Sequence, residues 1–226
     1  MEEGESHSMS DFLVMRQNMV KGQIIPENVF NPLLIDAFLQ IPREKFVPRQ
    51  LARIAYMETT FLLKKGRCLL RPATLARLLE ALDPQPYEKI LYVAGGTGYG
   101  PALLSKMSIH VIALDSEEAL TQEAEHLVQE LKLSSIEVVL GPLREGWETQ
   151  APYDKILIEG CVDFIPQRLI SQLKEGGQCV TIKYQNGKER IAIKVEKNKD
   201  TFTEIFLFDA FAPRIQSFRK QTPFIF

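Results

Sequence analysis

The sequence predicts an α/β fold: an open, doubly wound, mostly parallel sheet with a helical extension in front and an antiparallel edge at the end. Three observations carry that reading. Helical and strand periods alternate from Pro72 to Ile182. A strand, a glycine turn, a helix and a second strand follow one another from Lys89 to Asp115. Two alternating runs, Arg190 to Glu196 and Thr201 to Phe208, close the chain as a hairpin. A chain of 226 residues, 45% hydrophobic and 25% charged, can bury one full core. We expect a mobile tail over residues 1–10 and a single domain over 11–226, with 11–71 a helical and irregular cover and 72–226 the α/β core.

In chain order, Phe12, Met15 and Met19 share a helical face, which suggests a helix reaching about Ile24. Asn31 before Pro32 is an N-cap followed by proline at the first helical position, and Leu34, Ala37, Phe38 and Ile41 supply that helix's apolar side. A short third helix is expected around Gln50 to Ala55, then an irregular stretch with short extended pieces from Tyr56 to Leu70. Pro72 opens a strong amphipathic helix with Leu75, Leu78, Leu79 and Leu82 on one face. Further helices are expected over Glu117 to Lys132 and Ile165 to Leu173, the latter stopped by Gly176-Gly177. Strands are expected at Ile136 to Leu140, Lys155 to Ile158 and Cys179 to Ile182.

The centre is KILYVAGGTGYGPALLSKMSIHVIALD, Lys89 to Asp115. Glycines between a buried strand and a helix let backbone approach a ligand, and an acid after the next strand can take a ribose hydroxyl. Gly96 and Asp115 lie about twenty residues apart. Ala94, Gly95, Gly96, Thr97, Gly98 and Asp115 are therefore the candidate cofactor-binding residues. The GxGxxG spacing is not met, so a tight turn without a ligand is the competing reading. In such sheets the ligand lies beyond the carboxyl ends of the strands, where Ala94 to Gly98, Asp115 and Gly141-Pro142 should meet.

The net charge of −2 gives no footprint for nucleic acid or an acidic membrane surface, and no apolar run is long enough to span a bilayer. The acidic start MEEGESHSMSD does not read as a secretory signal. Three scattered cysteines, Cys68, Cys161 and Cys179, suggest reduced thiols and a cytoplasmic location. His7, His110 and His126 share no ligand spacing with each other or the cysteines, so no metal is expected. Oligomeric state leaves no signal.

The segment MVKGQIIPENVFNPLLIDAFLQIPREKFVP, Met19 to Pro48, resembles the N-terminal signature of the protein-L-isoaspartate O-methyltransferases. The resemblance continues through Ala55-Tyr56, Gly66, Pro72, the glycine turn with Tyr99, GPLREGW, APYD, LISQLKEGG and Phe211 to Pro213. It implies a seven-stranded S-adenosylmethionine-dependent methyltransferase fold. The implied activity is methyl esterification of the isoaspartyl carboxylate in damaged proteins, with isoaspartyl proteins or peptides as partners.

Departures from the family pattern fall in the site. Tyr92 stands where the family ends the first core strand with an acid, and Ala94 replaces the first glycine. Gly141-Pro142-Leu143 replaces a Gly-Asp-Gly whose aspartate faces the adenine; Leu70 replaces the serine beside the acceptor carboxylate, leaving no assigned catalytic residue. A catalytically inactive homologue serving as a binding or regulatory module is thus the alternative function. A nucleic-acid methyltransferase is disfavoured, because the fourth core strand ends Glu159-Gly160-Cys161 and the chain is not basic. Tyr99 reads equally as a cofactor neighbour or a core aromatic, Cys161 as a buried thiol, Trp147 as core, and Arg71 as a solvated arginine or a fork for an acceptor carboxylate. The tail Phe224 to Phe226 would dock on its own sheet or on a partner.

Overall fold

The computed structural model describes residues 2–107, 109–185, 189–199 and 201–220; the tail Phe224 to Phe226 lies outside them. The elements are α1 (Glu2–Met19), α2 (Pro32–Gln40), β1 (Phe61–Leu62), β2 (Cys68–Leu69), α3 (Pro72–Leu82), β3 (Lys89–Val93), α4 (Tyr99–Ser105), β4 (His110–Asp115), α5 (Glu118–Glu130), β5 (Ile136–Leu140), β6 (Tyr153–Val162), α6 (Gln167–Ser171), β7 (Leu173–Gln185), β8 (Glu189–Asn198) and β9 (Thr201–Asp209).

A seven-stranded sheet runs β5-β4-β3-β6-β7-β8-β9. The strands from β5 to β7 are parallel, and β8 and β9 join antiparallel. The chain leaves β3 toward β4 and β5, then returns to β6 on the other side. The β3–β6 boundary is the switch point, and it directs the ligand region to the carboxyl ends of β3, β4 and β6.

Alternation along β3 divides the core in two. Ile90 and Tyr92 face a core built with Leu34 and Phe38 of α2, Leu75, Leu78 and Leu79 of α3, and Leu103 of α4. Leu91 and Val93 face the other core, with Ile112, Ile156, Ile158, Leu169 and Phe218. Both faces of the central strands are thus covered, which is why Ile156 to Ile158 of β6 are apolar without a break. Lys155 at its start is buried; its ammonium donates to the carbonyls of Leu82 and Asp83 and satisfies the C-terminus of α3.

Several boundaries differ from expectation. α1 begins at Glu2, within the ten residues expected as a tail, and passes into a π turn over Val20–Ile24. The expected helix near residue 50 is a 3₁₀ helix, Arg49–Ile54. Gly176-Gly177 does not stop a helix. α6 ends at Ser171 because Leu173 already pairs with Tyr153, and Gly176 at φ +73° lies within β7, where the register shifts between Tyr153 and Lys155.

Asn31 caps α2 as its sequence predicts: Oδ1 accepts from the N–H groups of Leu33 and Leu34. Asn31→Ala should destabilise the fold by about 1 kcal/mol. Denaturant unfolding with an unchanged m-value would register it, and a loss under a few tenths of that would assign the helix start to Pro32 alone.

Candidate functional site

The glycine turn and the end of β4 meet as predicted. Ala94 N–H donates to Leu114 O at 2.9 Å, Gly96 N–H to Asp115 Oδ2 at 3.3 Å, and Gly141 N–H to Asp115 O at 2.9 Å. Gly96 (φ +58°) and Gly98 (φ +92°) use the left-handed backbone that glycine permits. Ala94 takes φ +63° despite its Cβ, a conformation costing roughly 1–2 kcal/mol for an L-residue. The methyl group has therefore not prevented a left-handed backbone at this position. The Thr97 hydroxyl points to the cover, donating to Phe46 O at 2.7 Å.

Asp115 is buried and fully engaged. Ser116 and Glu117 N–H groups donate to Oδ1 at 2.7 and 3.1 Å. From outside the sheet, Arg67 donates Nε to Oδ2 at 3.0 Å and Nη2 to Oδ1 at 3.0 Å, a forked pair on one carboxylate. Nη2 also donates to Ser116 Oγ at 2.8 Å. Arg67 and Asp115 are both almost wholly shielded from solvent. Arg67 arrives on a small hairpin, β1 paired with β2, whose turn contains Lys65 at φ +56° and Gly66 at φ +74°. The hairpin also lays Leu63 on the glycine turn: a Cβ built on Gly96 would meet Leu63 Cδ1 at 2.7 Å. The space left between Gly95, Gly96, Gly98, Asp115 and Thr121 is about 10 Å³. That is room for about one water molecule.

Under the turn lies a second buried group. Tyr92 donates its hydroxyl to Glu159 Oε2 at 2.8 Å. Glu159 sits one residue beyond the β3–β6 pairing of Val93 with Ile158 and also accepts Leu70 N–H at 3.4 Å. Burial pushes the Glu159 carboxyl up to about 7, against the opposing hydrogen bonds from Tyr92 and Leu70 and the charge of Arg43. The Tyr92 hydroxyl is raised well above its ordinary value, first by burial and then by Glu159. Arg43 is fully buried nearby, donating to the carbonyls of Ala55 and Leu70, each at 2.7 Å, and lying 5.0 Å over the Tyr99 ring. The Tyr92 hydroxyl occupies the volume a side chain at position 100 would need: a Cβ on Gly100 would lie 1.9 Å from it.

The sequence pattern of the protein-L-isoaspartate(D-aspartate) O-methyltransferases matches residues 15–208. The chain belongs to that family. It is 34% identical to the protein-L-isoaspartate O-methyltransferase of Pelotomaculum thermopropionicum over 165 residues, 73% of this chain and 72% of that one. It is 33% identical to the corresponding Picosynechococcus protein over 168 residues, 74% and 76% of the two chains. Among solved structures, a protein-L-isoaspartate O-methyltransferase superposes with a TM-score of 0.77 at 22% identity, over 88% of this chain and 65% of the other. A Plasmodium falciparum protein-L-isoaspartate O-methyltransferase, crystallised with S-adenosyl-L-homocysteine, superposes with a TM-score of 0.75 at 17% identity, over 91% and 98%. These likenesses match the fold expected from the sequence.

Where the family pattern has an acid at position 92, this chain has a tyrosine whose hydroxyl meets a carboxylate of β6, that of Glu159. Glu159, like Asp115, follows an apolar run, but its sequence neighbours do not reveal its partner. Arg67 was hidden, because nothing local links it to Asp115 forty-eight residues on. Pro142 and Leu143 lie beside the end of β4, with Leu143 buried in the second core. Leu70 is fully buried. Arg71 donates to Thr74 Oγ1 at 2.6 Å and lies 3.6 Å from Glu58, beside a cleft of about 340 Å³ lined by Gln23, Glu27, Glu58, Arg71, Thr74 and Arg77 among others. Tyr99 is a core residue, packed on Phe38 and Phe46 and buried away from solvent. Cys161 is a buried thiol, pushed up to about 11 by burial, and Trp147 packs partly buried on the second core. Among the described residues no cluster of three or more His, Cys, Asp or Glu is placed to hold a metal ion, and no helix is long and apolar enough to cross a membrane.

Two outcomes follow from the Tyr92–Glu159–Gly100 arrangement. Gly100→Ala should cost at least about 2 kcal/mol by overpacking Tyr92. In a Tyr92→Val background the same change should be neutral or stabilise by up to about 1 kcal/mol, since alanine outranks glycine in a helix. A double-mutant cycle with no coupling would separate the two positions. The proton on Glu159 gives the second. The folded state holds it between the ordinary value of 4.5 and about 7, where the unfolded chain has lost it, so stability falls as pH rises through that window and then levels. Glu159→Gln removes this loss and should gain on the parent by up to about 3 kcal/mol between pH 5 and pH 8. Unfolding at the two pH values measures it; a pH-independent difference would show that Glu159 does not titrate there.

Proposed function

We propose that this chain acts as its family does, in methyl transfer from S-adenosylmethionine to the isoaspartyl carboxylate of damaged proteins, the esterification that begins their repair. The observation that carries this reading is the family match across residues 15–208, which spans the entire parallel sheet and both sides of the site. The scaffold agrees with it: Asp115 ends β4, Gly96 and Gly98 turn the backbone toward it, and a cleft lies beside Arg71.

The cofactor does not fit the arrangement described above. Both oxygens of Asp115 are held by Arg67, Leu63 covers Gly96, and about 10 Å³ remains where a nucleoside needs hundreds. Residues 61–69 must therefore take a second arrangement for the reaction to run. When bound, the cofactor supplies an already activated methyl group; the protein's share is to hold two ligands in line and exclude water. On the acceptor side Leu70 contributes shape without a hydrogen bond. Arg71 offers a guanidinium that an acceptor carboxylate would share with Glu58.

The same closed site is what favours the second reading, a non-catalytic homologue that keeps the fold for binding. Calorimetric titration with S-adenosylhomocysteine, paired with transfer of labelled methyl to an isoaspartyl peptide, decides between them. Binding with methylation is the expected result. Leu70→Ser should then raise methylation by restoring a hydroxyl beside the acceptor. Folded protein that neither binds nor methylates, at millimolar ligand, would overturn the methyltransferase reading.

A further inference from the structure

The closed site resembles a ligand complex in which the chain supplies the ligand. A ribose presents two vicinal hydroxyls to the acid after the second core strand. Arg67 presents two N–H groups to the same two oxygens, Nε to Oδ2 and Nη2 to Oδ1, each at 3.0 Å. Its remaining donor, Nη1, faces Lys65 O at 3.4 Å, so the guanidinium is held from its own hairpin as well. Leu63, four residues earlier, lies on Gly96, the glycine whose bare backbone should meet the ligand. Leu63 and Arg67 are tied to each other, the Leu63 N–H donating to Arg67 O at 2.8 Å. One short hairpin therefore carries both a donor pair for Asp115 and an apolar cover for the turn.

We propose that residues 61–69 form a self-inhibitory latch: Arg67 occupies the ribose position on Asp115, and the nucleoside site opens only when the hairpin withdraws. This rests on the methyltransferase reading above and adds its regulation. The latch is an exchange of equivalents. Leaving Asp115 without Arg67 would bury a carboxylate short of donors, so withdrawal is favoured only when another pair of donors takes the place. A nucleoside bearing a free vicinal diol supplies that pair, whereas a 2′,3′-blocked nucleoside does not. The turn of the hairpin is suited to move as a unit: Lys65 and Gly66 both hold left-handed backbone, and Lys64, Lys65 and Gly66 are exposed.

The test compares S-adenosylhomocysteine affinity of the unmodified chain, Arg67→Gln and Leu63→Ala, each checked for cooperative unfolding. Arg67→Gln keeps reach and removes the fork, and Ser116, Glu117 and Gly96 N–H groups still hold Asp115. The latch predicts at least tenfold tighter binding by Arg67→Gln. Leu63→Ala leaves the ion pair intact and should bind tighter by a smaller factor, and it carries the test alone if Arg67→Gln does not fold. Hydrogen exchange gives an independent readout: ligand should speed exchange of the Leu63 and Arg67 amides while slowing that of Gly96. Equal affinity in all three proteins, with methylation of the isoaspartyl peptide, would overturn the latch and leave the methyltransferase reading standing. No binding by any of the three, all folded, would overturn both.

Discussion

A carboxylate removed from water must be surrounded by donors, and Asp115 meets that demand from three directions. The glycine turn donates through Gly96, the start of α5 through Ser116 and Glu117, and the hairpin through Arg67. The end of β4, the loop after β3 and the hairpin of the N-terminal cover are thereby fixed to one group. The geometry of the site follows from it. Arg67 anchors the hairpin on Asp115, and Leu63 of the same hairpin covers the glycine turn. The same requirement makes the site exchangeable, because the carboxylate needs donors and is indifferent to which molecule brings them.

Beneath the turn the chemistry is of a different kind. Tyr92, Glu159 and Arg43 bring a phenol, a carboxyl and a guanidinium into a space closed to solvent. Burial weighs more heavily on the carboxyl than its partners do, so it titrates near neutrality, while the phenol stays protonated as a donor. Tyr92 and Glu159 can meet because β3 and β6 are parallel neighbours in register and end at the same level.

Most of the fold was legible in the sequence because its signals are local. Asn31-Pro32 and Pro72 mark helix starts through their own backbones, the leucines of α3 repeat with the helical period, and the alternation of β8 and β9 is visible residue by residue. The errors share a cause. Gly176-Gly177 looks like a helix stop until the pairing of Leu173 with Tyr153 is known, and the period that starts at Phe12 does not show that α1 already begins at Glu2. The site was half legible: the glycines and Asp115 announce themselves by spacing, and the losses at Leu70, Tyr92 and Pro142 by comparison with a pattern. Arg67 and Glu159 did not, since what defines each is a partner on a distant element that neither spacing nor period encodes.

Tyr92 and Gly100 limit what each position can hold. The Tyr92 hydroxyl fits only because position 100 has no side chain, so any larger residue at 100 needs a smaller one at 92. An acid at position 92 would face Glu159 in a space without water, two like charges sharing one site, and would leave a void beside Gly100. The two positions therefore accept change only as a pair, held together by packing and by charge.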